Sequence, residues 1–291
     1  MDVKEKELRL KEKAAELLSS GKVKCVIGYE RGTDGANARP FFSYSTEDVN
    51  RMIFDQTCVH NLAKYLINKK GGATAIVAKA CDERAINLLL KESQIKREEV
   101  VILGAVCDRI VQRTWSRSST ELEPRCNACQ YRTPLIYDFL VGEPEPAPKE
   151  LPQPSYPDVE KYEAMTAAEK AGFWREQSEK CIRCYACRQT CPGCYCFECF
   201  ADVLDPLWLG IRIAPPENQM WLTGRAFHLA GRCVDCGECQ RVCPVHIPLM
   251  LLNHKLLKEV GEKFNFHPGM DAGALAPFDT FNKEEGLGFS H

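Results

Sequence analysis

Seventeen cysteines in 291 residues dominate the sequence. Eight of them fall into two copies of one pattern. Cys181, Cys184, Cys187 and Cys191 are spaced C-x2-C-x2-C-x3-C and followed by Pro192. Cys233, Cys236, Cys239 and Cys243 repeat the spacing and are followed by Pro244. A [4Fe–4S] cube needs four thiolates. Three cysteines on a tight loop can bind three irons of one cube, while the fourth starts a helix and reaches to the neighbouring cube. The spacing therefore assigns one cluster to Cys181, Cys184, Cys187 and Cys243, and the other to Cys233, Cys236, Cys239 and Cys191. Paired zinc sites are the alternative, and two full copies ending in Cys-Pro argue against them. Arg183, Arg188 and Arg241 stand beside these cysteines, either to tune potential or as plain surface charges.

This stretch, roughly residues 178–248, resembles the two-cluster bacterial ferredoxins, with a longer insert at 192–232. The resemblance implies a small α+β dicluster domain that conducts single electrons and offers no substrate site.

Four further cysteines mark the N-terminal half. Cys81 in AKACDERA and Cys107 in GAVCDRI each follow a predicted strand, at the end where open α/β sheets place ligands. Cys126 and Cys129 form a Cys-x2-Cys loop that could close over both. The stretches IVAKACDERAI, VILGAVCDRI and CNACQYRTPLIYDFLVGE resemble the beta subunit of deazaflavin-reducing (coenzyme F420) hydrogenases and the related formate dehydrogenase and sulfite reductase domains, over about residues 20–142. The resemblance implies that Cys81, Cys107, Cys126 and Cys129 hold one [4Fe–4S] cluster beside a flavin; buried structural cysteines are the alternative. The family binds FAD near a Gly-Gly stretch that opens a helix, and glycines at a helix start suit phosphates. Here the corresponding LRLKEKAAELLSSG has no glycine until Gly21, and no G-x-G-x-x-G or P-loop occurs. That departure argues against FAD.

Five cysteines remain. Cys194, Cys196 and Cys199 crowd behind Cys191 and lack a fourth ligand. Cys58, expected near a helix start beside a structural His60, could supply it if the halves fold together. The alternative is a set of inert thiols. Cys25 reads as a buried thiol in a strand.

The elements that must position these residues are an α/β N-terminal domain, a mixed sheet with flanking helices, over 1–142. An amphipathic helix over 3–19 stops at Gly21. Strands are expected at Lys22–Tyr29, Ala73–Ala78, Val100–Ala105 and Tyr137–Val141, and helices at Thr46–Met52, Val59–Lys69 and Asp82–Lys91. Residues 143–157 hold six prolines, so 143–165 reads as a stiff linker. The dicluster domain follows over 166–262, opened by a Thr166/Glu169 capping box. Pro248 starts a helix with Leu249, Leu252, Leu256 and Val260 on one stripe. The extended tail 263–291, with five phenylalanines, either wraps a partner or packs on its own domain.

A formal net charge of −2 gives no basis for nucleic-acid binding. No apolar run reaches membrane-spanning length. The N-terminus has no apolar signal core, so the chain reads as cytoplasmic, where cysteines in such number point to metal rather than disulfides. The reading is an electron-transfer subunit of a soluble anaerobic complex of hydrogenase, formate dehydrogenase or heterodisulfide-reductase-like type, with a flavin subunit, a catalytic metallo-subunit, or both, in which the 248–260 helix and the tail are the docking candidates. A flavin-bearing enzyme that reduces a deazaflavin is the alternative, and a metal-stabilised scaffold is disfavoured by the cluster motifs.

Overall fold

The computed structural model describes residues 1–69, 71–112, 120–127, 129–145 and 155–277. Helix α1 spans Val3–Ser19 and is capped by Asp2, whose carboxylate accepts from the Glu5 N–H at 2.8 Å. It ends, as expected, before Gly21, which takes φ +69°. Strands β1 (Cys25–Arg31) and β2 (Ala38–Ser43) form an antiparallel pair. A short helix α2 (Thr46–Val49) leads to β3 (Met52–Ile53), which also pairs antiparallel with β1. A single 3-10 helix covers Ala63–Asn68 in place of the longer expected helix. Strand β4 (Thr74–Ala78), helix α3 (Ala80–Lys91) and strand β5 (Val100–Ala105) follow, then a short α4 (Pro124–Asn127) and β6 (Phe139–Val141).

The sheet order is β2-β1-β4-β5-β6. The β1–β4, β4–β5 and β5–β6 pairs are parallel. The sheet is therefore mixed, with its antiparallel edge at the β2 side. Every residue of β4 is buried, as a central parallel strand covered on both faces requires. Strand β2 was not expected from sequence. Pro40 sits within it, and proline is tolerated there because β2 is an edge.

The second half is helical. Helices α5 (Pro157–Glu163) and α6 (Ala167–Lys180) precede the first cysteine motif, and the Thr166/Glu169 capping box is present. Thus the last part of the proline-rich stretch is itself a helix. Within the motifs lie the short helices α7 (Ala186–Gln189) and α9 (Glu238–Arg241), which pack on each other. Between them runs α8 (Pro215–His228), and α10 (Leu249–Phe264) closes the half. No strand occurs among described residues 155–277, only an isolated bridge between Leu204 and Leu207. The expected α+β character is corrected accordingly: the segments flanking both motifs carry helix-start signals, the capping box and Pro248, and fold as helices.

Of the expected stripe on α10, Leu249 and Val260 are buried while Leu252 and Leu256 are only partly so; Met250, Leu251 and Leu257 complete the buried face. The start of the tail also packs at home. Phe266 is buried with Val260 and Ala276, and the Lys91 ammonium lies 4.3 Å from its ring centre. Residues 278–291 lie outside the described residues.

The halves share a core. Val234 and Cys236 are buried in the same cluster as the sheet residues Ile27, Ile76 and Ile102. Arg232 grips Glu92 at 2.6 Å, and Asn87 donates to the Gly269 carbonyl at 3.0 Å.

Candidate metal centres

The two cysteine motifs adopt the same backbone. In the first, Arg183 and Tyr185 take φ +50° and +58°; in the second, Asp235 and Gly237 take φ +56° and +67°. These residues flank the second cysteine of each loop. Left-handed residues at such positions turn successive N–H groups toward the concave side, which makes an anion-binding nest. The Arg183 N–H faces the Cys181 sulfur as the Asp235 N–H faces that of Cys233. Three of the four left-handed residues are not glycine, a conformation that costs about 1–3 kcal/mol each and persists only where the surroundings impose it.

Two cavities lie against these loops. The inner cavity, about 320 Å³ with part of it open to solvent, is lined by Cys233, Cys236, Cys239 and Cys191. The outer cavity, about 340 Å³ on the same measure, is lined by Cys181, Cys184, Cys187 and Cys243. Each thus gathers three cysteines of one motif and the last cysteine of the other. The inner cavity adjoins the sheet core through Cys236 and Leu88. The outer one is walled by Trp221 and Ile247 and reaches the surface at Cys184, which is exposed.

Further donors point at the sulfurs. The Ile247 N–H donates to Cys243 Sγ at 3.4 Å, and Asn253 Nδ2 donates to Cys239 Sγ at 3.6 Å. Burial pushes the Cys187 thiol up to about 11. A metal ion reverses that preference, because coordination deprotonates the thiol outright.

The third cysteine set sits at the strand ends. Cys81 lies in the first turn of α3, just past β4, and Cys107 lies two residues past β5. Cys126 lies in α4, and Cys129 follows it. The strand-end placement of Cys81 and Cys107 is as expected. The charges of Cys126 and Cys129 act on Cys107, and that of Cys107 on Cys81. Burial raises Cys81 to about 12 and Cys107 to about 11. The Cys107 peptide is clamped by Arg132: its N–H donates to the Arg132 carbonyl at 2.9 Å, and Arg132 Nε donates back to its carbonyl at 2.8 Å. Cys129 Sγ lies 3.1 Å from the Tyr131 carbonyl. Lys79, 1% exposed, lies beneath this set; it is paired with Asp82 at 2.7 Å and hydrogen-bonded to the Tyr29 hydroxyl.

Cys58, Cys194, Cys196 and Cys199 are not brought to one place. Cys58 is 0% exposed inside the sheet core, where its sulfur accepts from the Asp55 N–H at 3.4 Å. Cys199 packs on the other core, around Trp221, and Cys196 is exposed. Cys194 instead hydrogen-bonds Cys191, and that bond lowers the Cys191 thiol's pKa. The sequence could not show this, because Cys58 belongs to a turn whose apolar neighbours pull it inward. His60 is structural: its carbonyl accepts from Lys79, and its ring lies 3.2 Å from Arg241. Cys25 is buried, at the first position of β1.

The arginines adjacent to the motifs each have partners besides the cysteines, and Arg183 also lines the outer cavity. Arg183 donates to the carbonyls of Gly210 and Arg212, Arg188 pairs with Asp202, and Arg241 pairs with Glu238. Three other arginines, Arg84 and Arg125 beside the strand-end cysteines and Arg225 in α8, occupy the spaces between the cysteine sets. The sulfurs of Cys129, Cys81 and Cys236 act on Arg84. Arg125 donates to the Cys236 carbonyl and pairs with Glu238 at 2.7 Å. Arg225 lines the inner cavity and donates to the Cys187 carbonyl at 3.2 Å. Its one sequence signal is a charge on the buried stripe of α8, among Trp221, Leu222 and Ala226. Among the described residues, no three His, Cys, Asp or Glu side chains converge on a position fit for a single metal ion.

No family model matches the chain. It is similar to the F420-dependent formate dehydrogenase subunit beta of Methanocaldococcus jannaschii, with 24% identity over 358 aligned positions that cover 92% of each chain. It is also similar to the F420-dependent formate dehydrogenase 1 subunit beta of Methanococcus maripaludis, at 24% over 347 positions and 88% of each chain. The beta-subunit resemblance carried by the N-terminal motifs therefore extends over nearly the whole length. No helix among the described residues is long and apolar enough to cross a membrane.

Proposed function

We propose that this chain is an iron–sulfur electron-transfer subunit of a soluble oxidoreductase complex of the formate dehydrogenase type, relaying single electrons between redox partners. The observation that carries the reading is the pair of cavities, each ringed by four cysteines drawn three from one motif and one from the other. A single tetrahedral zinc with bonds near 2.3 Å would draw its four sulfurs to one point. Sulfurs standing around a space suit a cage of several metal atoms. The donor set fits as well: thiolates are the ligands iron–sulfur clusters select, and the left-handed loops supply N–H groups to the same concave side.

A [4Fe–4S] cluster in such a site supplies reversible one-electron transfer. The chain's own residues do the rest. Cys233, Cys236, Cys239 and Cys191 would hold the inner cluster, and Cys181, Cys184, Cys187 and Cys243 the outer. Cys81, Cys107, Cys126 and Cys129 would hold a third at the strand ends. Trp221, Leu222 and Met250 exclude water from the two cavities. The three sets follow one another from the sheet to the surface, with Arg84 and Arg125 between the first two and Arg225 between the last two. In the assembled complex a flavin subunit, a catalytic metallo-subunit, or both would exchange electrons with the two ends.

The names of the relatives favour a second reading, in which the N-terminal half also binds a flavin and exchanges hydride with a deazaflavin. Anaerobic purification of the whole chain, followed by acid extraction, separates the two. Bound iron and acid-labile sulfide without free flavin is the expected result. Released flavin selects the second reading, and a chain that takes up zinc or no metal overturns both.

A further inference from the structure

We infer that Arg225 is the shared counter-ion of the inner and outer cysteine sites and holds the potentials of both clusters up. The inference rests on the iron–sulfur reading above. Arg225 lies in α8, within the insert between the motifs and distant in sequence from the cysteines it meets. It is 3% exposed. Its Nη2 donates to the carbonyl of Cys187, an outer-site cysteine, at 3.2 Å. Its side chain lines the inner cavity, and its Nε is buried there without a hydrogen-bond partner.

A buried guanidinium with no anion is strongly unfavourable. The other two arginines between cysteine sets have carboxylates to answer them: Arg125 has Glu238, and Arg84 has Asp235. Arg225 forms no ion pair with a carboxylate among the described residues. The groups whose negative charge acts on it are the sulfurs of Cys239, Cys191, Cys194 and Cys187. These belong to both sites, with Cys194 alongside. Four thiolates around a cube leave a net negative charge, which the guanidinium between the sites balances. The guanidinium is thus a donor at the inner cavity, hydrogen-bonded to the Cys239 side chain there.

Net charge and hydrogen bonds to sulfur both set the potential of such a cluster. Reduction adds a negative charge, which a fixed cation nearby favours. Removing Arg225 must therefore lower the midpoints of the two adjacent clusters. The strand-end set of Cys81, Cys107, Cys126 and Cys129 lies beyond Arg84 and Arg125, so its midpoint serves as the internal reference.

The test uses the full-length chain, reconstituted anaerobically with iron and sulfide, and a redox titration followed by paramagnetic resonance on wild type, Arg225→Gln and Arg225→Lys. The expected result is a shift of the two cysteine-motif midpoints to lower potential in Arg225→Gln, with the reference unmoved and Arg225→Lys near wild type. Loss of iron from Arg225→Gln alone, with Arg225→Lys fully loaded, supports the same role. Full loading with unmoved midpoints in Arg225→Gln overturns it. So does an equal shift, or an equal loss of iron, in both variants, which would mean that guanidinium shape rather than charge matters. A wild-type chain that takes up no iron overturns the cluster reading itself.

Discussion

Arg125 and Glu238 form an ion pair at 2.7 Å across the junction of the two halves, with the carboxylate side chain 1% exposed. Arg125 precedes Cys126 of the strand-end set, and Glu238 precedes Cys239 of the inner cavity. The same guanidinium donates to the Cys236 carbonyl and, at 2.5 Å, to that of Val59. One side chain thus ties two cysteine sets into one body.

Breaking this pair should loosen the junction. Removing one partner of a buried pair typically costs about 3–5 kcal/mol. Arg125→Gln and Glu238→Gln should each destabilise the chain on that order, and the double variant by less than their sum. Urea unfolding of the four proteins measures the coupling. Strict additivity would show that the contact is idle.

His254 carries a pH dependence. Its ring lies between Asp158 of α5 at 2.7 Å and Asp235 of the second cysteine loop at 3.0 Å. Burial pulls its pKa down, but the two carboxylates outweigh burial and hold it above the usual 6.5. A folded-state pKa above the unfolded one means that protonation favours the folded chain. The contribution is fully present below about pH 6.5 and is lost as pH rises through the raised folded value. The thermal midpoint of wild type should exceed that of His254→Gln at pH 6, and the gap should close in alkaline buffer. A gap that widens with pH would refute the assignment.

The cysteine sets predict how iron is lost. Three cubanes correspond to about twelve irons per chain. Cys191→Ala should damage the cluster of Cys233, Cys236 and Cys239 and spare that of Cys181, Cys184 and Cys187. Paramagnetic resonance distinguishes the two, and loss confined to the Cys181 set would sink the crossed arrangement. Cys196→Ser, at an exposed position away from Cys58, should leave the iron count unchanged.

Trp221 walls the outer cavity. It is 1% exposed, edge-on to Tyr185 at 4.8 Å and stacked with Phe200 at 5.7 Å. Trp221→Ala should cost about 3–5 kcal/mol. It should also open the Cys181, Cys184, Cys187 and Cys243 site to water, so that bleaching of the visible absorbance in air quickens. An air-stable, unweakened variant would show that the indole is not the seal.

The features legible in the chain alone are local ones. The apolar run Val100–Ala105 is β5, residues 3–19 are α1, and the Thr166/Glu169 pair caps α6, because short-range hydrogen bonding and side-chain periodicity decide such elements. The cysteine spacing likewise lies within single loops, and Cys81 and Cys107 could be placed from the strands that precede them. The tertiary structure decided everything that depends on distant packing. It made β2 an edge strand that tolerates Pro40 and buried Cys58 in the sheet core, while Cys199 packs around Trp221 and Cys196 is exposed. It also gave Arg183, Arg188 and Arg241, which stand beside the motifs, carbonyl and carboxylate partners, with Arg183 left at the wall of the outer cavity. Arg225 lies between the cavities instead, because the buried face of α8 carries it there between two walls of sulfur, a placement that no neighbouring residue in the chain encodes.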